Sequence, residues 1–221
     1  MGDEPPDFIR RVPTVADRAW QSTAANLREA ALEAYVLRRL LLHQPALIYD
    51  VNRKLRELAS GNPALAEGLL GDLSVDDFTR TSYRALMDQF LRAVEQDELD
   101  PLDYLASSLQ GDMLDEVEIL LADEWEDLRP RLRHGLSADL IIVIKQAERF
   151  SGVVDIGVEV VDKALRLRRA RLERERQEMV FLEMDGDASN SAPYQTHIML
   201  SILAKRLIDT ELNQRSQMLR Q

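Results

Sequence analysis

The sequence predicts an all-α fold, in which a helical bundle is followed by a long helix and a C-terminal helical hairpin. Of the 221 residues, 45% are hydrophobic but only 5% are aromatic, a composition typical of helical proteins. Apolar residues recur at three- and four-residue intervals along most segments, as in amphipathic helices. Residues 153–184 contain no proline, which permits one uninterrupted helix of about 48 Å.

Composition also limits the possible partners. The net charge is −11, and a surface this acidic repels a polyanion, so direct binding to duplex nucleic acid is not expected. The chain contains no cysteine, which excludes disulfides and thiolate metal sites and fits a reducing, cytoplasmic setting. No apolar run approaches the roughly 18 residues that a membrane span needs. A membrane is therefore not an expected partner.

The N-terminal part of the chain divides at its prolines. Residues 1–21 carry three prolines among charged residues and are predicted to form a flexible lead-in. The helical bundle is predicted over residues 22–152. Ser22 is the expected N-cap of its first helix, whose apolar residues favour one face. Pro45 then fits the first turn of a second helix near 46–60.

Glycine, proline and capping residues predict the helix ends in the middle of the bundle. Gly61-Asn62-Pro63 predicts a break, followed by a short helix near 64–70. Ser74 and Asp77 form a variant of the capping box and predict one helix over about 75–96. Asp100 before Pro101 predicts the start of the next helix.

The last part of the bundle is less regular. Gly111 is an expected helix end, and Asp112 an expected cap. Residues 123–136 read as a charged loop. A helix is favoured over a strand for 138–150, because no second strand is available to pair with it.

Residues 153–221 are predicted to form a stalk helix and a hairpin. Between Arg166 and Glu178 six arginines and three glutamates leave few apolar residues, which predicts a solvent-exposed stalk held by ion pairs four residues apart. The expected pairs are Arg169–Glu173, Arg171–Glu175 and Arg174–Glu178. Apolar residues return over 179–184 and are expected to face the final helix. The first half of the stalk helix is expected to pack through Val154, Val158, Val161 and Leu165.

No motif predicts a cofactor, a metal or a catalytic residue. Asp185 to Asn190 begins like a calcium loop, but the sixth position is not glycine and Thr196 replaces the bidentate glutamate. A polar hairpin connection is therefore favoured. His43, His134 and His197 lack zinc-site spacing. The basic segment Arg129–His134 could meet a phosphate or a carboxylate, although a solvated loop is favoured, since no aromatic residue lies between its arginines.

Residues 33–47, Glu-Ala-Tyr-Val-Leu-Arg-Arg-Leu-Leu-Leu-His-Gln-Pro-Ala-Leu, resemble the start of the C-terminal, helicase-binding domain of bacterial DnaG-type primases. The resemblance extends over about 24–219 through leucine patterns and the terminal pair of helices. The other residues that carry the resemblance are Asp77-Phe78, Tyr83 to Phe90, Asp100-Pro101, Leu105, Leu109 and Leu120. The segments 125–135 and 138–150 look like insertions relative to that family.

The resemblance implies a non-catalytic adaptor in DNA replication. In that family the terminal hairpin contacts the N-terminal domains of the hexameric DnaB-type helicase, and the bundle modulates the helicase. The zinc-binding and polymerase signatures of primase do not occur in this sequence, so no catalysis is inferred. Both a part of a full primase and a free-standing protein at the replication fork remain open.

The final helix is the predicted helicase contact. Its expected contact residues are Leu200, Leu203, Arg206, Leu207, Glu211 and Leu212, with the two charged residues forming a polar rim around an apolar centre. Three alternatives stay open: a self-associating coiled-coil scaffold, an interaction domain similar to the helicase N-terminus, and an enzyme acting on phosphate esters. Weak self-association is compatible with the adaptor as well.

Overall fold

The computed structural model describes residues 28–41, 45–111, 113, 117, 120, 155–185 and 191–218. Within these ranges the regular structure is helical and no strand occurs, which confirms the predicted all-α class. The predicted lead-in, the segment 123–150 and the predicted boundary between residues 152 and 153 lie outside the described residues.

The bundle begins with helices α1 (28–41) and α2 (Pro45–Leu58). Every residue from Glu33 to Arg38 is buried. A helix buried on all sides lies in the interior, so the single apolar face predicted for α1 is too narrow. Helix α2 begins at Pro45 as predicted, because the fixed φ of proline suits a first helical turn.

The chain turns sharply after α2. Gly61 has a φ of +84°, in the left-handed region that glycine adopts without a Cβ clash, and this confirms the predicted break. A single turn of π-helix, Leu65–Leu69, follows. The backbone N–H of Leu73 then donates to Asn52 Oδ1 at 2.9 Å, which ties the loop to α2.

The helix predicted over 75–96 is interrupted. A 3-10 turn, Val75–Asp77, comes first. Phe78 then adopts an extended conformation, and α3 covers Thr81–Glu95. The prediction of one continuous helix was therefore wrong at its N-terminal end.

A carboxylate from α1 binds the backbone at the interruption. Glu33 is fully buried and accepts hydrogen bonds from the backbone N–H of Thr79 at 2.8 Å and of Arg80 at 3.3 Å. It also accepts one from the Thr79 hydroxyl at 2.6 Å. These residues stand immediately before Thr81, the first residue of α3, and Arg80 at the N-cap supplies no side-chain cap. Glu33 therefore fixes the backbone that leads into α3 from a distant part of the sequence.

Replacing Glu33 with glutamine should lower the free energy of unfolding by about 1–3 kcal/mol, because one acceptor oxygen becomes an NH₂ group facing buried donors. The exposed carboxylate of Glu67 offers a matched control, since Glu67→Gln should change stability little. Urea unfolding followed by circular dichroism measures both. Equal effects of the two substitutions would contradict this role for Glu33.

Helix α4 covers Pro101–Ser108. The backbone N–H of Tyr104 donates to the Asp100 carbonyl at 2.9 Å, which confirms the predicted start. Gly111 has a φ of +56°, as expected at a helix end. We refer to α1–α4 and the turns between them as the base.

Two long helices complete the described chain. Helix α5, Ile156–Asp185, has 30 residues and is about 45 Å long. Helix α6, Ser191–Met218, runs antiparallel to it. Arg215 near the end of α6 donates to the Val158 carbonyl near the start of α5 at 3.3 Å.

One continuous hydrophobic core joins the base to the two long helices. It includes Val36 of α1, Leu55 of α2, Phe90 of α3, Leu167 of α5 and Ile208 of α6. The parts of α5 and α6 that lie against the base, which we call the proximal hairpin, therefore share its hydrophobic core.

Candidate partner-binding surface

The middle of α5 is held to the base by one buried arginine. Arg168 is fully buried and donates to Asp77, from Nε to Oδ1 at 2.5 Å and from Nη2 to Oδ2 at 2.8 Å. Asp77 Oδ2 also accepts the backbone N–H of Ser74 at 3.0 Å. The ion pair thus links α5 to the capping turn before α3.

The remaining donors of Arg168 bind the loop beside that turn. Nη1 donates to the carbonyls of Leu69 and Gly71, and Nη2 to that of Asp72, each at 2.9 Å. A guanidinium has five N–H donors, and these contacts use all of them. A buried ion pair fixes geometry more than it adds stability, so this cluster determines where α5 crosses the base.

The solvent-exposed stalk predicted for 166–178 was wrong over its first half. Leu167, Arg168 and Leu172 are buried. Of the three expected ion pairs, only Arg171–Glu175 forms, at 2.5 Å. The other two arginines pair with other helices instead, because the base and α6 lie against this segment: Arg169 binds Asp209 at 2.7 Å, and Arg174 binds Glu29.

The expected apolar stripe at the start of α5 is partly confirmed. Val161 and Leu165 are buried in the core, whereas Val158 is 38% exposed. Val154 lies outside the described residues.

Ion pairs also set the contact between α5 and α6. Glu173 of α5 accepts from Arg176 at 2.6 Å on its own helix and from Lys205 of α6 at 2.6 Å. These hydrogen bonds lower the pKa of Glu173 to about 2, and the bond from Arg176 has a larger effect than the bond from Lys205. The carboxylate therefore stays charged throughout the neutral and mildly acidic range.

This shift predicts a pH dependence of stability. Because the folded pKa of Glu173 lies below its unfolded value, its contribution is present above about pH 4.5 and is lost as the pH falls through about 2. The side chain is partly exposed, so the effect should be small. Carboxyl titration by NMR should place the Glu173 pKa near 2. Glu173→Gln should reduce the loss of stability below pH 4.5, with Glu67→Gln as the control.

Beyond the base, the two helices carry exposed apolar side chains. Arg168, Glu175 and Leu182 recur at seven-residue intervals and so lie close to one face of α5. Arg168 is buried, Glu175 is partly buried and Leu182 is exposed. The face of α5 that packs against the base at Arg168 is therefore exposed to solvent at Leu182. We call the described residues 177–185 and 191–203 the distal hairpin.

The distal hairpin concentrates apolar exposure. On α5, Phe181 is 65% exposed and Met184 is 82% exposed; on α6, Met199 is 72% exposed, with Ile202 and Leu203 also exposed. Phe181, Leu182, Gln177 and Glu178 line an open depression of about 480 Å³. The expectation that 179–184 faces the final helix is therefore wrong for Phe181, Leu182 and Met184. Exposed apolar residues grouped in this way are typical of interaction sites.

The six predicted contact residues on α6 fall into three groups. Leu203 and Arg206 are exposed. Leu200 and Leu207 are partly buried against the core. Leu212 is buried, and Glu211 binds Arg215 at 2.7 Å and Lys54 at 3.3 Å.

The environment of Glu211 explains why it faces inward. Burial raises its pKa, but hydrogen bonds from Arg215 and Lys54 outweigh burial, and the pKa lies below the ordinary value. Both Glu211 and Leu212 are occupied by contacts within the chain. The surface open to a partner is therefore the outward face of α6 around Leu203, together with the neighbouring end of α5.

Several sequence predictions lie mostly or wholly outside the described residues. These are the Arg129–His134 segment, the loop after Asp185, His43 and His134. His197 is described, and its Nε2 is 3.9 Å from Glu175 Oε2.

In the described ranges, no three His, Cys, Asp or Glu residues are grouped as metal ligands. Each helix of the described part is too short or too polar to cross a bilayer.

The sequence reasoning missed the role of Arg168, although a signal existed. Arg168 stands four residues after Ala164 and four before Leu172, and both are buried. The position therefore continues a helical face that packs on the base. The exposure of Phe181 and Met199 had no comparable local signal, because it depends on where the base ends.

No family model, curated protein or solved structure matches this chain.

Proposed function

We propose that the chain is a non-catalytic adaptor of DNA replication that binds the N-terminal domains of a hexameric DnaB-type helicase and modulates it. The observation that carries the proposal is the exposed apolar surface of the distal hairpin, the part that contacts the helicase in the primase domains that the sequence resembles. The adaptor would act in the cytoplasm, at the replication fork.

The geometry supports docking at this end of the molecule. The proximal hairpin is fixed to the base by Arg168 and by the shared core. The distal hairpin is an extension of the same two helices, so its orientation is fixed while Phe181, Met184 and Met199 stay exposed. Burial of such surface on a partner is worth about 25 cal/mol per Å², and a preformed surface avoids part of the ordering cost of binding.

The base supports the second part of the proposal, the modulation of the helicase. Because α5 is continuous from the base to the distal hairpin, a partner bound at the tip is mechanically connected to the bundle. Modulation of a helicase would follow from placing the bundle beside the bound N-terminal domains. The net charge of −11 disfavours direct contact of this bundle with duplex DNA.

A self-associating scaffold is the second candidate. The apolar side chains Phe181, Met184 and Met199 would favour it if they packed against a second copy. Light scattering over a range of concentrations tests the scaffold, because a mass that stays that of the monomer throughout would contradict it.

Isothermal calorimetry of the intact chain with the N-terminal domain of the same organism's replicative helicase tests the proposal. Binding with a dissociation constant in the micromolar range or tighter is expected, with a negative heat-capacity change from apolar burial. The proposal would be overturned by a helicase domain that is folded and able to assemble into the hexamer, yet shows no heat of binding at micromolar concentrations.

A further inference from the structure

The outward face of α6 is almost free of charge. Of its twelve exposed side chains that the structure describes, Arg206 is the only charged one, although 30% of the whole chain is charged. Charged residues are depleted from the centres of protein interfaces. The face is therefore suited to close contact with another protein.

The other charges of this part of α6 turn towards α5. Lys205 binds Glu173 at 2.6 Å, and Asp209 binds Arg169 at 2.7 Å. Arg206, in contrast, forms no ion pair or side-chain hydrogen bond with any described residue. Its guanidinium is available, and it stands beside the apolar part of the face.

Met199, Ile202, Leu203 and Arg206 follow the spacing i, i+3, i+4, i+7, so they form one stripe along α6. A stripe of this kind accepts a second helix packed along it. Burying Arg206 under such a helix without a counter-charge would carry a large desolvation penalty. The partner must therefore place a carboxylate near Arg206.

We infer that the outward face of α6 binds an amphipathic helix of a different protein, whose apolar side carries an aspartate or glutamate that pairs with Arg206. Symmetric pairing of this face with that of a second copy fits poorly, because the same exposed face has no acidic residue to offer. A nucleic acid also fits poorly, since Arg206 has apolar neighbours and no second exposed cation on this face to follow a phosphate backbone. The inference rests on the proposed function, in that it specifies the partner surface.

Display selection on the intact chain tests this inference without a known partner. The probe is a stable three-helix scaffold in which one helix face is randomised. Selected helices should be apolar with a carboxylate. Their binding should weaken at least tenfold on Arg206→Glu and on Leu203→Asp, but not on Arg92→Glu, which reverses an exposed charge on α3, outside α6 and the distal hairpin. Changing the selected carboxylate to lysine should restore binding to Arg206→Glu.

Two outcomes overturn the inference. One is selection of helices without acidic residues, whose binding is unchanged by Arg206→Glu. The other is that no selected helix depends on Leu203 or Arg206. The calorimetric test with the helicase domain is independent: absence of helicase binding removes the proposed partner, while the display result still decides which chemistry this face accepts.

Discussion

Replacing Arg168 with methionine is expected to lower the free energy of unfolding by about 3–5 kcal/mol, the range for removing one partner of a buried ion pair. Methionine leaves the Asp77 carboxylate buried without its counter-charge. It also leaves the carbonyls of Leu69, Gly71 and Asp72 without the donor that binds them. Urea unfolding followed by circular dichroism gives the value.

The adjacent residue provides a matched control. Arg169 is 46% exposed and pairs with Asp209 on the surface, so Arg169→Met should cost at most about 1 kcal/mol. Similar losses for the two substitutions would show that Arg168 does not hold α5 to the base.

A double substitution separates the charge from the shape of this site. Arg168→Met combined with Asp77→Leu removes both charges, so it should be less destabilising than Arg168→Met alone. Measuring Asp77→Leu alone as well completes a double-mutant cycle, which gives the coupling between the two side chains. If Arg168→Met does not fold, the double variant still reports whether an uncompensated Asp77 is the cause.

Replacing Leu203 with aspartate is expected to weaken helicase binding by at least about 30-fold, the factor that corresponds to a loss of 2 kcal/mol at an interface hot spot. The substitution places a charge at the centre of the apolar stripe on α6. Because Leu203 is 41% exposed, the folded chain should tolerate the change with little loss of stability. Calorimetry measures the affinity, and thermal unfolding verifies the fold.

Leu99→Asp is the control for this prediction. Leu99 is 50% exposed between α3 and α4, outside α6 and the distal hairpin, so affinity should stay within about twofold of the unchanged chain. Phe181→Ser tests the α5 side of the distal hairpin in the same assay. A Leu203→Asp chain that binds the helicase domain with unchanged affinity would place the contact elsewhere on the molecule.

Local patterns predicted much of the base. Pro45, Gly61, Asp100-Pro101 and Gly111 mark element ends in the structure as predicted, because these residues act through their own backbone preferences. The interruption before α3 escaped prediction. Glu33, which binds the backbone there, lies in another helix, so the segment 75–96 itself gives no sign of this contact.

The helical class, the ends of most described helices of the base and the two long C-terminal helices could be predicted from local patterns. Those features follow from spacing, proline and glycine, which act over a few residues. Local patterns did not reveal which of six similar arginines is buried or which leucines of α6 stay exposed. Burial depends on the groups that pack opposite a side chain: Asp77 and three carbonyls bind Arg168, while Met199 stays 72% and Leu203 41% exposed.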